Sequence, residues 1–137
     1  MSFLTDTNRV KDTAGFGPPQ FGGVLNVRYG QVVYTDTTAR ALFTLPEGAM
    51  LVGWVTNVDE GFDDTGTDLL DLGDGTTADR FAADLDVSAL GQIVNGYAAD
   101  ELFVALTEET TVYATFTGQN GNAAHGSATV CALYVIL

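Results

Sequence analysis

The chain has 137 residues, of which 46% are apolar, and carries a formal net charge of −13. That length fits one domain with a hydrophobic core, and the single cysteine, Cys131, excludes an intrachain disulfide. The charge argues against a nucleic-acid partner, which requires a basic surface. No stretch approaches the roughly 20 apolar residues of a membrane helix, and MSFLTDTNRVKD lacks the apolar run of a secretory signal.

The charge is unevenly distributed along the chain. Residues 1–40 hold four basic groups and three acidic ones, whereas residues 41–137 hold fifteen acidic groups and only Arg80 as a base. A high charge of one sign keeps a small protein dispersed, so the simplest role of these acids is a solvated surface.

The first 23 residues differ from the rest of the chain. The stretch MSFLTDTNRVKDTAGFGPPQFGG has neither helix nor strand periodicity, and Pro18 and Pro19 favour an extended backbone. A loose terminus is the usual fate of such a stretch. Large apolar side chains are costly to leave in water, however, and we therefore expect an arm that packs on a neighbouring surface. These side chains are Phe3, Leu4, Phe16 and Phe21.

Short strand candidates follow one another from Val24 onward. The segments VLNVRY and QVVYT are separated by Gly30, and RALFTL and AMLVGWVTNV come next. Alternation in the last of these predicts one shared apolar face. That face consists of Met50, Val52, Trp54 and Val58.

The strand pattern continues to the end of the chain. TDLLDLG predicts a strand, DRFAADLDVSALG a short helix or an irregular crossing, and ELFVALT and TTVYATFTG a hairpin around Glu108 and Glu109. GSATVCALYVIL is apolar on both faces at its end, which predicts a central strand or one covered by another subunit. In this strand Cys131 is most simply a small core residue. The inward residues of TTVYATFTG are expected to be Val112, Ala114 and Phe116.

Eight or nine strands without a long helix predict an all-β fold. The expected architecture is an antiparallel β-sandwich of the jelly-roll type with an extended N-terminal arm. The arm would span residues 1–23, and a single sandwich domain residues 24–137.

The acidic stretch DEGFDDTGTDLLDLGDG, residues 59–75, contains seven carboxylates. It runs from the end of the Trp54 strand through a turn and into the TDLLDLG strand. An EF-hand is excluded, because a loop that starts at Asp63 has Asp68 where the motif requires Gly. Solvated turn residues remain the favoured interpretation. A calcium site of another type, built from Asp63, Asp64 and Asp68, is the alternative.

The residues offer little for catalysis or for a cofactor. No two carboxyls stand out as an acid/base pair, and the one histidine, His125, lies in a loop rich in Gly, Asn and Ala. His125 and Cys131 are too few for a zinc site, and no phosphate-binding glycine loop is present. The sequence therefore predicts no enzyme and no cofactor.

Several segments of the chain resemble small virion proteins of tailed bacteriophages. The resemblance covers about residues 42–137 and rests on LPEGAMLVGWVTNVDEGFDDTGTDLLDLGDG, DRFAADLDVSALG, TTVYATFTG and GSATVCALYVIL. It is to head decoration (cement) proteins and related jelly-roll modules of phage heads and fibres. What the resemblance implies is a homotrimer seated on the outer surface of the capsid, assembled in the host cytoplasm, that stabilises the shell.

Two functions therefore stay open from the sequence. A decoration protein would contact the major capsid protein and neighbouring copies of itself, through the arm and the last strand. The candidate contact residues are Phe3, Leu4, Phe16, Pro18, Pro19, Phe21, Tyr134 and Ile136. The alternative is a fibre or receptor-binding module that recognises a glycan. Its loop residues would be Tyr97, Asn120, Asn122 and His125.

Overall fold

The computed structural model describes residues 24–136, which form eight β-strands and one short 3-10 helix. The strands are β1 (Asn26–Val33), β2 (Arg40–Leu45), β3 (Ala49–Glu60), β4 (Asp68–Gly73), β5 (Ala82–Asp86), β6 (Gly91–Ile93), β7 (Thr110–Gly118) and β8 (Ser127–Ile136). The helical turn covers Ala99–Glu101. Across residues 24–136, no helix has the length and apolar character needed to cross a membrane.

The strands form two four-stranded antiparallel sheets. The first sheet has the order β1-β8-β3-β6, and the second has the order β2-β7-β4-β5. Most connections pass from one sheet to the other, which produces the two interleaved Greek keys of a jelly roll. The predicted antiparallel sandwich is confirmed. β8 lies between β1 and β3, as its two apolar faces indicated. The predicted N-terminal arm lies outside the described residues.

The core lies between the two sheets and follows from strand alternation. Every second residue of β8 is buried, from Ala128 to Tyr134. On β7 the predicted inward residues Val112, Ala114 and Phe116 are all buried. Each large apolar side chain buried in this way contributes about 1.5–3 kcal/mol relative to an exposed one.

A bulge in β3 changes which of its residues face the core. The register between β3 and β8 shifts between Leu51 and Gly53, so that the inward set moves by one position. The prediction that Met50 and Val52 share the face of Trp54 is therefore wrong, since both are only half-buried. The buried residues of β3 are Ala49, Leu51, Trp54, Thr56 and Val58.

Some local predictions are overridden by pairing between distant segments. Gly30 does not divide two strands but lies inside β1, and the expected helix or crossing at DRFAADLDVSALG contains β5, which pairs with β4. The hairpin around Glu108 and Glu109 is also wrong. The segment before β7 bonds instead to β3 in the other sheet, where the Phe103 and Leu106 N–H groups donate to Leu51 O and Ala49 O, each at 2.8 Å.

Gly30 allows one side of the sandwich to close. β1 and β2 are edge strands of different sheets, and they approach each other at this residue. A Cβ atom at Gly30 would lie 2.9 Å from both the Cβ and the carbonyl oxygen of Leu42. Arg28 Nη1 also donates to Thr44 O across the same junction, at 2.7 Å. The strands can therefore approach this closely only with glycine at this position.

Candidate interaction surfaces

The acidic stretch lies at one end of the sandwich, where Asp64 holds a loop in place. Asp64 is only 6% exposed. Its carboxylate accepts hydrogen bonds from the N–H groups of Gly66 (2.8 Å), Asn120 (3.0 Å) and Asn122 (3.0 Å). Burial acts to raise the pKa of Asp64, but these N–H groups together lower it below its ordinary value. Asp64 thus joins the β3–β4 loop to the β7–β8 loop.

Two neighbouring acids also bond to the backbone. Asp63 Oδ1 accepts hydrogen bonds from the N–H groups of Ala124 (2.7 Å) and His125 (2.9 Å). Both bonds lower the pKa of Asp63, and the bond from His125 has the larger effect. Asp68 accepts from the N–H of Asp64 at 3.0 Å. Burial raises the pKa of Asp68, and the charge of Asp64 raises it further. The prediction of solvated turn residues is wrong for Asp64 and Asp68, which are buried.

The geometry gives no support to the calcium alternative. The oxygens of Asp63, Asp64 and Asp68 are directed at backbone N–H groups. Within residues 24–136, no group of three or more His, Cys, Asp or Glu side chains is placed to hold a metal ion. Backbone N–H groups of the loop after β7 are therefore what the carboxylates of Asp63 and Asp64 bind.

The residues with potential for nucleophilic chemistry do not form a catalytic arrangement. The side chain of His125 is 66% exposed, and its Nδ1 lies 3.6 Å from Glu60 Oε2. Cys131 is half-buried on the outer side of β8, opposite Tyr29 and Val55, so the prediction of a core residue is wrong. Burial raises the pKa of the Cys131 thiol, which lowers its thiolate fraction at neutral pH.

Most of the residues considered for glycan binding are already bonded within the protein. The Tyr97 hydroxyl bonds to Thr56 Oγ1 at 2.7 Å, and its ring stacks on Trp54 with centroids 6.0 Å apart. The side-chain amides of Asn120 and Asn122 both donate to Thr65 Oγ1, at 2.9 and 3.0 Å. These side chains are held in place by bonds within the loops, and the glycan-binding alternative stays a prediction.

Part of the outer face of the first sheet is apolar over three strands, from Cys131 to Val135 of β8. In the registers of β1 with β8 and of β8 with β3, Leu133 lies beside Val27 and Gly53, and Cys131 beside Tyr29. Residues opposite each other in these registers lie on the same side of the sheet. The rows toward the start of β8 are polar, since Thr129 lies beside Gln31 and Asn57, and Ser127 beside Glu60. The members of the apolar part are Val27, Tyr29, Met50, Val55, Cys131, Leu133 and Val135.

The most exposed large apolar residues lie along the two edges of the same sheet. We name them the β1 patch, which consists of Val24, Leu25, Val27 and Tyr29, and the 103 patch, which consists of Leu90, Val94, Phe103 and Val104. The members are between 51% and 72% exposed. Leu90 and Val94 flank β6, which pairs with the second half of β3. Phe103 and Val104 lie beside the first half of β3, where the Phe103 N–H donates to Leu51 O. Exposed apolar residues are informative where they form a continuous surface, and these residues are therefore the candidates for an interaction surface.

The outer face of the second sheet carries threonines and carboxylates together with Leu69 and Tyr113. Thr115 lies beside Asp71, and Thr117 beside Leu69, in the register of β7 with β4. On β2 and β7 the hydroxyls of Thr44 and Thr111 are 3.2 Å apart. Threonines and carboxylates of this kind suit contact with water.

The predicted contact residues fall into three groups. Tyr134 is 3% exposed and belongs to the core, whereas Ile136, at the end of β8, is 46% exposed. The remaining predicted residues lie outside the described part of the chain. They are Phe3, Leu4, Phe16, Pro18, Pro19 and Phe21. The β1 patch and the 103 patch were not predicted. The signal available for them was the absence of acids around Val27 and Tyr29 and the apolar pair Phe103-Val104 in a loop.

Comparisons with known proteins place this fold among chains from phage capsids. No protein-family model matches the chain, and no curated protein matches it. A chain in the capsid asymmetric unit of cyanophage Pam1 is similar at 24% identity and a TM-score of 0.65, over 98% of this chain and 99% of that one. A chain in the capsid of Ralstonia phage GP4 is 18% identical with a TM-score of 0.66, over 88% and 89%.

A third similar chain occurs in an acidic stable capsid structure of Helicobacter pylori bacteriophage KHP30. It is 19% identical with a TM-score of 0.63, over 84% of this chain and 92% of that one. At these identities the similarity shows a shared fold. The sequence resemblance to phage virion proteins is confirmed at that level, because the chains with this fold come from phage capsid structures.

Proposed function

We propose that the protein is a virion structural protein of a phage, and more specifically a decoration or cement protein that binds the outer surface of the head and stabilises it. The fold shared with chains in three phage capsid structures supports the virion part. The observation that carries the decoration part is the difference between the two outer faces. One sheet offers apolar side chains to a protein partner, and the other offers threonines and carboxylates to solvent.

In this role the protein acts by contact and not by catalysis. The partners are the major capsid protein and neighbouring copies of this chain, arranged as a homotrimer. The first sheet and its edges contact protein, because apolar surface that is removed from water there stabilises the assembly. The second sheet and the acidic loops face outward, where their negative charge keeps decorated heads apart in solution. Residues 1–23 extend the contact along the capsid surface.

The first experiment tests the location. Intact virions purified on a density gradient are expected to contain the protein at a fixed copy number relative to the major capsid protein. Surface proteolysis of the intact particles should reach this protein before the shell. If the protein separates from the particles on the gradient, the proposed function is wrong.

A second experiment tests the arm. Removal of residues 1–22 is expected to leave the sandwich folded and to weaken binding to undecorated capsids by several orders of magnitude. The reason is that burial of two large apolar side chains at about 1.5–3 kcal/mol each is lost, before the entropy of ordering the arm is subtracted. High salt should matter less, because Asp6 and Asp12 balance Arg9 and Lys11. Equal occupancy of full-length and truncated protein would show that the arm plays no part.

A further inference from the structure

The described part of the chain contains two Asn-Gly dipeptides. Asn95-Gly96 follows β6, and Asn120-Gly121 follows β7. Both asparagines are exposed to solvent. A difference in their reactivity therefore depends on the hydrogen bonds that hold each pair and not on access of water.

An Asn-Gly pair can react without an enzyme. The backbone nitrogen of the glycine attacks the side-chain carbonyl carbon of the asparagine, and glycine has no side chain to hinder the approach. A new C–N bond closes a succinimide ring, and the side-chain nitrogen leaves as ammonia together with the proton of the glycine N–H. Water then opens the ring to aspartate or isoaspartate, so that the net change is the replacement of ammonia by water.

The pair after β7 is held on both sides of the reacting nitrogen. The Asn120 and Asn122 N–H groups donate to the Asp64 carboxylate, each at 3.0 Å, and so fix the backbone that flanks Gly121. The Asn120 side-chain amide donates to Thr65 Oγ1 at 2.9 Å. Ring closure at this pair requires the side chain and the backbone to leave these bonds. The charge of the Asp64 carboxylate also opposes the loss of a proton from the Gly121 nitrogen.

The pair after β6 lies in a turn that leaves its reacting groups free. Within the described residues, neither the Asn95 side chain nor the Gly96 N–H has a hydrogen-bond partner. The turn is held from outside the pair, because the Tyr97 hydroxyl donates to Ile93 O at 3.0 Å. Gly96 has a φ of 95°, and a Cβ there would lie 2.9 Å from Leu85 Cδ2. The fold therefore requires glycine, the residue that makes the pair reactive, at this position.

We propose that Asn95 is a site of spontaneous deamidation in the folded protein, and that Asn120 is protected from the same reaction by its bonds to the loop after β3. The turn after β6 offers the reacting nitrogen and the side-chain amide without competing partners. The loop after β7 binds both the side chain and the flanking backbone.

The product changes the charge of this part of the surface. No charged side chain occurs between Asp86 and Asp100. The new carboxylate is therefore the first charge in the stretch that exposes Leu90 and Val94. Conversion of Asn95 to isoaspartate also adds one carbon to the backbone of the turn.

The experiment incubates the full-length protein in mildly alkaline buffer, which favours loss of the glycine N–H proton, and follows each asparagine by peptide mass spectrometry. Replacement of ammonia by water changes the peptide mass, and electron-transfer fragmentation distinguishes isoaspartate from aspartate. Asn95 is expected to convert at least about tenfold faster than Asn120, the factor that one or two lost hydrogen bonds contribute to a rate. The reference is the same protein unfolded in guanidinium chloride, where both pairs should convert at similar rates.

The matched variant is Asn95→Gln, which keeps an amide but must close a larger ring that forms more slowly. Because the position is exposed, the variant should melt at the temperature of the wild type. The early loss of ammonia from the folded protein is expected to disappear in this variant.

Equal conversion of the two asparagines in the folded protein, an Asn95 that stays intact while the unfolded chain reacts, or an unchanged loss of ammonia in the folded Asn95→Gln variant would each overturn the proposal. No capsid enters these measurements, so the proposed decoration role is decided separately by the binding experiments.

Discussion

The two sheets of the sandwich have the same number of strands and each buries an inner face in the core, yet their outer faces differ. The first sheet exposes Val27 and Tyr29 on an edge strand that bears one charge, while the second presents Thr115 and Thr117 beside Asp71 and Leu69. Both outer faces are compatible with the fold, because only the inner faces form the core. The outer faces are therefore free to differ, and here they separate a surface for protein contact from a surface for water.

The acidic loops add a second difference. At the end of the sandwich near Asp64, carboxylates that bind backbone N–H groups help to fix the loops. The negative charge of the sequence is thus partly structural and not only a solvated coat. Four measurements test the roles of these carboxylates and of the junction between the two sheets.

Asp64→Ala is expected to lower the melting temperature by roughly 10 °C or more at neutral pH, because backbone N–H groups in a buried site lose a charged acceptor. The pKa of Asp64 in the folded protein is lowered from 3.8. The contribution of Asp64 to the free energy of unfolding is therefore present above pH 3.8 and is lost as the pH falls through the folded pKa. Thermal melts of both proteins from pH 7 to pH 2 should therefore converge at the acid end. The control is Asp79→Ala, an exposed acid whose loss should shift the melt little.

Gly30→Ala is expected to destabilise the protein by about 1–3 kcal/mol, because the new Cβ would overpack the junction of the two edge strands. The nearest atoms of Leu42 are only 2.9 Å away. Gly75→Ala is the matched control, since a Cβ there would meet Tyr113 at an ordinary 3.6 Å. Urea unfolding of the two variants measures the difference, and equal midpoints would show that the strands can separate at no cost.

Asp68→Asn should stabilise the protein slightly at neutral pH. The pKa of Asp68 in the folded protein is raised above 3.8. The contribution of Asp68 to the free energy of unfolding therefore falls as the pH rises from 3.8 through the folded pKa. Asparagine resembles the protonated acid and can still accept from the Asp64 N–H. The melting temperature of the variant is expected to exceed that of the wild type by a few degrees at pH 7, and by less as the pH approaches 3.8. A variant that melts lower at pH 7 would contradict the sign of the shift.

Calcium removal is expected to have the smallest effect. A ligand at 100 times its dissociation constant adds about 2.7 kcal/mol of stability, which corresponds to several degrees in a domain of this size. Because the carboxylates of Asp63, Asp64 and Asp68 bind the backbone, a chelator should leave the melting temperature unchanged. A drop of several degrees on chelation would show that the acidic stretch holds a metal ion.

Much of the fold could be predicted because it depends on alternation, which is local. The predicted segment RALFTL coincides with β2. β7 begins at the first residue of its predicted segment, and β8 begins one residue after the first residue of its predicted segment. The failures occur where distant segments compete for the same backbone groups. β5 is a strand because β4 supplies its partner, and the segment before β7 leaves the expected hairpin because β3 offers it Leu51 O and Ala49 O.

The candidate surfaces were harder to predict than the fold. Periodicity shows that a strand has an inner and an outer face, but it does not show which strands become neighbours. Cys131, assigned to the core from its apolar neighbours, faces outward, and the bulge between Leu51 and Gly53 turns Met50 outward as well. An apolar outer face arises only when β1, β8 and β3 align these residues in rows.

Composition and a period of two depend only on the order of residues, and they were enough to predict an acidic, all-β sandwich with a central last strand. The role of Asp64 in holding two loops together, and the placement of exposed apolar side chains on opposite edges of one sheet, became visible only in the folded protein. These features depend on contacts between residues more than fifty positions apart, such as Asp64 with Asn120. No local pattern in a single sequence specifies such contacts.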